Sequence, residues 1–382
     1  IVNSQNIVNP SSVQVGGIAG NRMSGARIEG FATMGAALVS INNVLSSQMI
    51  SKAIAMYNYD PDGSGSQTPY GSGSWPNAGS GASDSIAKER KMSSLMGSIS
   101  LALAGQGTIY LNHAISRLNE FNQLLRTSSN QNDVVCIKRN WGANVDCPHL
   151  RLDEFGPGLI KMHKYSVHNG QTSSAWYTGT LKPLTNQIWA SVKRFEPGGN
   201  LENVWGLYPV VWPNGVNAPS VAAVKNVPNS NDKISYLMPV DPNTLTSSNI
   251  DLMLETSSSH ILIPMSNWLA RMSEFNDGPN EKEAMMKASL RAWYFAWGMN
   301  PLDKRTFDGD ISDISVENGA GQISHYGNIW PTTPGLAATN GIYLHPNGNF
   351  VIGSDWRSAE WHLEVTQAAL STASYYYSLL SS

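Results

Sequence analysis

The sequence predicts an α+β protein in which an extended arm precedes a long N-terminal helical hairpin, an irregular β-rich middle region and C-terminal helices. Two long segments, 30–51 and 92–116, contain no Asp, Glu, Lys or Arg, and apolar residues recur in the first at steps of three and four. Between about 134 and 251, short runs of Val, Ile, Trp and Tyr are interrupted by Pro, Gly and Asn. These patterns predict two long helices followed by short strands.

Residues 1–23 are predicted to form the extended arm, because Asn9-Pro10 and several glycines interrupt any helix there. A single helix of roughly 30 residues is expected from Ser24 to about Tyr57. Its apolar stripe is predicted to form a helix–helix or subunit interface, and it consists of Phe31, Met34, Leu38, Ile41 and Leu45.

Residues 59–83 form a connector in which 15 of 25 positions are Gly, Ser or Pro, a composition typical of irregular structure. A second long helix is expected from about Asp84 to Leu125, with Leu103 and Ile115 as its interface residues. Small residues recur in both helices and permit close approach of their backbones. The predicted hairpin therefore spans 24–130.

The rest of the chain is divided into a β-rich or irregular domain at 131–260 and a helical region at 261–382 with a loop-rich insert at 299–355. Pro264 and Pro279 are expected to begin two core helices, since proline is favoured in the first turn. Cys136 and Cys147 are close enough in sequence for a disulfide, but two free thiols are equally compatible with the spacing.

The charge-free helices have two interpretations. Either each is buried among copies of the chain and other subunits, or segments 30–51 and 92–116 enter a membrane under some conditions, with Ser and Asn lining a polar pore. Both segments have the length of a membrane span, but Ser, Asn and Gln interrupt them. The first interpretation is the one favoured by the sequence.

Composition excludes some classes of function. Charged residues make up 14% of the chain, and the formal net charge is −3, so a sequence-specific nucleic-acid reader is not expected. No phosphate-binding loop, dinucleotide fingerprint, nucleophile elbow or zinc-peptidase motif occurs, and no cofactor is predicted.

Two weaker chemical possibilities come from acidic residues. Asp308, Asp310 and Asp313 could surround a cation such as calcium, although their spacing differs from an EF-hand and a solvated loop is the simpler interpretation. A secreted glycan-active enzyme would need a carboxylate pair, for which Asp308, Asp310, Glu360 and Glu364 are the candidates.

The sequence therefore favours a non-enzymatic structural subunit of a large assembly, with copies of itself and other subunits as partners. The leading interpretation is a virion protein: a phage capsid protein, a tail protein or an internal protein that is ejected. A polar chain with few charges is suited to close contact with neighbouring subunits. The alternatives are a secreted or cell-surface assembly protein and the glycan-active enzyme.

Overall fold

The structure, a computed structural model, describes 24–58, 94–127, 135–137, 152, 155–202, 206–208, 210–213, 223–226, 233–237, 262–296, 343–344, 350–351 and 363–381. The predicted arm, the 59–83 connector and most of the 299–355 insert lie outside the described residues.

Helices account for most of the described residues. They are α1 (Ser24–Leu38), α2 (Asn43–Asn58), α3 (94–103), α4 (Thr108–Leu124), α5 (Gly156–His168), α6 (Lys182–Lys193), α7 (Leu262–Met272), α8 (Pro279–Ala296) and α9 (Leu363–Ser381). A π-helical turn, Tyr177–Leu181, leads directly into α6, and a 3₁₀ turn, Ser273–Phe275, extends α7.

The strands are short. They are β1 (Leu125–Thr127), β2 (Val135–Ile137), β3 (Val210–Pro213), β4 (Ala223–Asn226), β5 (Lys233–Leu237), β6 (Tyr343–Leu344) and β7 (Phe350–Val351). β1 pairs with β2, and β6 pairs with β7. β5 lies between β3 and β4 in an antiparallel sheet, with Tyr236 opposite Val211 on one side and Ala223 on the other.

The predicted α+β class is wrong, because the described structure is helical and the middle region is not β-rich. Residues expected to form strands instead form α5, the π turn and α6. Proline was expected to interrupt short strands in this region, but Pro157 lies in the first turn of α5. Proline is tolerated there because first-turn N–H groups have no partner within the helix.

The predicted single helix from 24 to 57 is two helices. The chain turns at 39–42, and α1 and α2 pack against each other as an antiparallel hairpin. The turn sequence contains Val39, Ser40, Ile41 and Asn42, which are weaker helix formers than Ala or Leu. Asn42 then caps α2, because its Oδ1 accepts the backbone N–H of Leu45 at 3.0 Å.

The second predicted long helix is also interrupted, between α3 and α4. The N–H of Gly105 bonds to the carbonyl of Ala102, and that of Gln106 bonds to the carbonyl of Leu101. This is a Schellman ending, which needs a left-handed residue, and Gly105 supplies it with φ of 74°. Gly105 thus ends a helix that the spacing of apolar residues alone predicts to continue.

The chain divides into two compact units. Unit 1 contains α1 to α4, most of α5, the π turn and the start of α6, while unit 2 contains the rest of α6, the β3–β5–β4 sheet and α7 to α9. The predicted four-part domain division stays a prediction.

Unit 1 is built on close approach of helices at glycines. A Cβ on Gly97 would lie 3.3 Å from Ile28 on α1, and a Cβ on Gly158 would lie 2.9 Å from Leu95 Cγ on α3. Distances this short leave no room for a side chain, so glycine is required for the packing. The largest side chains buried in this unit are those of Ile28, Tyr57, Leu95, Ile99, Leu101, Leu118 and Phe121.

Unit 2 joins α7, α8 and α9 through buried hydroxyl groups. Ser266 Oγ donates to the carbonyl of Ser289 at 2.9 Å, and Ser289 Oγ lies 2.6 Å from the carbonyl of Ser266. Ser289 Oγ is also 2.6 Å from Tyr376 Oη on α9. Around these groups Ile263, Trp293 and Ala369 form an apolar cluster. Small hydroxyls thus bring the helices together without burying charge.

We predict that Gly35→Ala lowers the free energy of unfolding, whereas Gly30→Ala raises it. A Cβ on Gly35 would lie 2.7 Å from Ile50 Cγ1 and 3.2 Å from the carbonyl oxygen of Ser46, but nothing lies within 4 Å of a Cβ on Gly30. Overpacking costs about 1–3 kcal/mol, while alanine gains about 0.5–1 kcal/mol over glycine inside a helix. Urea unfolding of both variants would measure this, and equal effects would contradict the close approach at Gly35.

Candidate functional site

The end of the α1–α2 hairpin is the candidate functional site. We define the hairpin tip as residues 38–45, which comprise the end of α1, the turn and the start of α2. The carbonyl of Leu38 accepts the N–H groups of Ile41 and Asn42, which closes the turn. Ser46 Oγ then donates to the carbonyl of Gly35 at 2.6 Å, which holds α2 against α1 just below the tip.

Apolar side chains of the hairpin tip point into solvent. Val39 is 63% exposed, Ile41 79% and Val44 64%, and Met34 next to the tip is 55% exposed. Every residue from 39 to 44 is exposed. A single exposed apolar side chain is ordinary, but several neighbouring ones mark a contact surface.

Charge is confined to the base of the hairpin. No charged residue occurs between Glu29 and Lys52. Glu29 lies six residues before Gly35, and Lys52 lies six residues after Ser46, so the Ser46–Gly35 contact puts both at the same level. Glu29 pairs there with Lys161 of α5 at 3.1 Å, and Lys161 also donates to Thr33 Oγ1.

Five of the predicted interface residues lie on the hairpin, and the other two lie on α3 and α4. Met34 and Ile41 are exposed, while Phe31, Leu38 and Leu45 are partly buried, as are Leu103 and Ile115. The face of α1 that packs inward carries Ile28, Ala32 and Gly35. Small residues occupy the tight helix contact, so larger apolar ones remain outside. Their role as an interface stays a prediction.

A second exposed apolar surface lies on α9. We define the α9 outer face as Leu370, Ser374, Tyr377 and Leu380, which share one side of the helix. Leu370 is 50% exposed, Tyr377 74% and Leu380 89%. The opposite side of α9 is packed, with Ala368, Ala369 and Thr372 buried.

Sequence reasoning missed the α9 outer face, as well as Val39 and Val44 of the hairpin tip. The available signal was a charge-free segment, 365–381, in the last helix. The sequence pattern gives the charge-free length but not which side of α9 is covered. Contacts with α7 and α8 decide that.

The base of the hairpin carries a buried polar group that joins three helices. Tyr57 Oη lies 2.7 Å from Nδ1 of His113 on α4 and 3.2 Å from Oγ of Ser98 on α3. Burial raises the pKa of Tyr57 to about 12, and burial together with the Arg117 charge lowers the pKa of His113. Both groups are therefore neutral near pH 7, and their hydrogen bonds anchor α2.

A second buried histidine contacts the π turn. The rings of His163 on α5 and Tyr177 are 5.3 Å apart in an edge-to-face arrangement. Burial, with a smaller contribution from the Lys182 charge, lowers the pKa of His163 to about 3. A neutral imidazole within the core of unit 1 is a packing group, although π turns are frequent at functional sites.

Charged groups of unit 2 form one exposed pair, at Glu281, and one largely buried pair, at Glu196. Glu281 accepts hydrogen bonds from Lys193 Nζ at 2.5 Å and from Trp189 Nε1 at 2.6 Å, and these bonds lower its pKa. Glu196 pairs with Arg291. These contacts tie α6 and the loop after it to α8.

Several predicted chemical residues lie outside the described residues: Asp308, Asp310, Asp313, Glu360 and Cys147. Cys136 lies in β2, and Glu364 lies in the first turn of α9. The possible disulfide, the cation site and the glycosidase pair therefore stay predictions.

Within the described ranges, no group of three or more His, Cys, Asp and Glu side chains is placed to hold a metal ion. No helix in the described part of the chain has the length and hydropathy needed to cross a membrane. Comparison with known proteins finds neither a matching family model nor a matching curated protein.

We predict that stability falls between pH 7 and pH 5 through His163. Its pKa is about 3 in the folded protein against an ordinary value of 6.5. The unfolded chain therefore takes up a proton below pH 6.5 that the folded chain does not, and at pH 5 this costs about 2 kcal/mol. Unfolding of the wild type and of His163→Gln at both pH values should show a smaller pH dependence in the variant.

The matched control is His168→Gln, because His168 is exposed at the end of the same helix. This control should keep the pH dependence of the wild type. An unchanged pH dependence in His163→Gln would contradict the assignment of a neutral buried histidine.

Proposed function

We propose that the chain is a non-enzymatic structural subunit of a large assembly, held in place by contacts between copies of itself through the α9 outer face. The observation that carries the proposal is an exposed apolar side on a helix whose other side is packed. Such a surface is one-sided and lies on a supported helix, as a subunit interface requires.

The absence of charge on the α9 outer face favours a second copy of the chain as its binding partner. A two-fold contact places each residue near its own counterpart, so a charged face would set like charges together. Residues 365–381 contain no charged side chain. The α9 outer face therefore meets its own copy without this repulsion, and serine and tyrosine hydroxyls supply hydrogen bonds at its edge.

The size of the face favours many contacts rather than one tight pair. Burying a leucine or similar side chain completely is worth about 1.5–3 kcal/mol, while association costs about 4–15 kcal/mol. The three apolar residues of the α9 outer face thus support only a weak pair. Weak contacts become stable when each subunit joins several neighbours, because later contacts form within one particle.

A virion is the assembly we propose, since a chain with 14% charged residues suits permanent burial among neighbours. A secreted or cell-surface layer or filament would use the same contact. Mass spectrometry of purified virus particles and of cell-surface fractions from the source would separate the two. Recovery of the chain in neither fraction would contradict both locations.

We predict that Tyr377→Asp lowers the native mass of the protein. The substitution places a carboxylate in the middle of the α9 outer face, and an unpaired charge buried in a contact costs several kcal/mol. Tyr377 is 74% exposed, so the fold should be retained. Light scattering after size-exclusion chromatography would measure the mass, and circular dichroism would check the fold.

The control for this experiment is Val167→Asp, at a 56% exposed position of α5 in unit 1. It should leave the native mass unchanged. A wild type that is monomeric at high concentration, or a Tyr377→Asp variant of unchanged mass, would refute the proposed contact.

A further inference from the structure

The geometry of the α1–α2 hairpin leads us to propose that the hairpin tip inserts into one leaflet of a lipid bilayer. This inference does not rest on the proposed function, because it concerns a different surface in the other unit. Its basis is the combination of exposure, internal hydrogen bonding and charge distribution at the tip.

The first observation is exposure on all sides. All six residues from 39 to 44 are exposed, although they belong to a turn and to the start of a helix and therefore point in different directions. A protein partner with an ordinary surface covers one face of such a projection. A bilayer surrounds it, so Val39, Ile41 and Val44 all leave water together.

The second observation is that two backbone N–H groups of the turn, and the side-chain oxygens of Asn42 and Ser46, have partners within the hairpin. The N–H groups of Ile41 and Asn42 bond to the carbonyl of Leu38, and Asn42 Oδ1 accepts the N–H of Leu45. Ser46 Oγ bonds to the carbonyl of Gly35. Hydrocarbon offers no hydrogen bonds, so a segment that enters it needs such internal partners.

The third observation is the distance from the tip to the first charges. Leu38 is nine residues from Glu29 on α1, which corresponds to about 13 Å at 1.5 Å per residue. One leaflet of the hydrocarbon core is about 15 Å thick. The hairpin tip is therefore no farther than one leaflet from the nearest charges of the hairpin, Glu29 and Lys52, which would lie on the headgroup side.

The other charge-free surfaces fit this role less well. Residues 94–102 of the second segment are buried in unit 1. The α9 outer face is exposed on one side only, because α7 and α8 cover the other. Of these three described surfaces, the hairpin tip combines exposure all round with turn N–H groups that bond within the hairpin.

The test is flotation of the full-length protein with phosphatidylcholine vesicles. The wild type should float with the vesicles and should still do so in about 0.5 M NaCl, because apolar insertion is not screened by salt. Ile41→Asp should reduce the bound fraction at least about tenfold, since a carboxylate in hydrocarbon is strongly disfavoured. Ile41 is 79% exposed, so the fold should not depend on it.

The matched control is Ile109→Asp, because Ile109 is 57% exposed and adjoins Tyr110, whose ring lies 5.1 Å from that of Tyr57 at the hairpin base. It should bind vesicles as the wild type does. Release of the wild type by salt would indicate adsorption through lysines and overturn the proposal. So would equal loss in both variants, or a wild type that stays with the unbound protein.

One further outcome would show that the hairpin tip contacts another protein subunit and not a lipid bilayer. If Ile41→Asp lowers the native mass and the wild type does not float, the hairpin tip is a subunit contact and the lipid proposal fails. The proposed α9 contact is tested separately, because Tyr377→Asp changes native mass without altering the tip.

Discussion

Close contact between helix backbones is the constraint on which unit 1 depends. Gly35, Gly97 and Gly158 each lie where a Cβ would come within 3.3 Å of a neighbouring side chain. At these points α1 meets α2, α1 meets α3, and α3 meets α5. The inward side of α1 carries Ile28, Ala32 and Gly35, while Met34 on its other side is exposed. The exposed apolar surface is thus a consequence of how the core is packed.

Uncharged polar groups are the commonest polar groups buried among the described residues of both units, beside a few charged ones such as Arg117 and Glu196. Ser98, Ser100, Thr185 and Thr372 donate to carbonyls in the preceding turn of their own helices, and Ser266 and Ser289 bond across a helix contact. A hydroxyl that bonds to the backbone can be buried at little cost, whereas a charge needs a paired partner. This accounts for a chain that is polar and yet only 14% charged.

The sequence predicted the features that local chemistry determines. Helices were expected and found around 24–57, and Pro279 begins α8 as proposed from its residue type. The turn at 39–42 was missed, because uncharged β-branched residues continue a helical pattern that the Asn42 cap interrupts. The β-rich middle was predicted wrongly, because a proline such as Pro157 can stand in the first turn of a helix as well as between strands.

Which side of α1 or α9 faces inward depends on contacts distant in sequence, such as that between Tyr376 and Ser289. The spacing of apolar residues locates an apolar stripe on a helix, but it does not show which other helix packs against that stripe.

The locality of the α1–α2 hairpin has a consequence for synthesis of the chain. Its two helices are joined by a four-residue turn, and contacts between elements so close in sequence form early, before distant ones. The ribosome completes this hairpin before it makes any of α7, α8 or α9. The newly made chain therefore carries an exposed apolar projection before α7, α8 and α9 are translated. Nascent-chain binding factors that recognise short apolar segments would meet this projection before α7, α8 or α9 exist, so its exposure carries a risk of aggregation during synthesis.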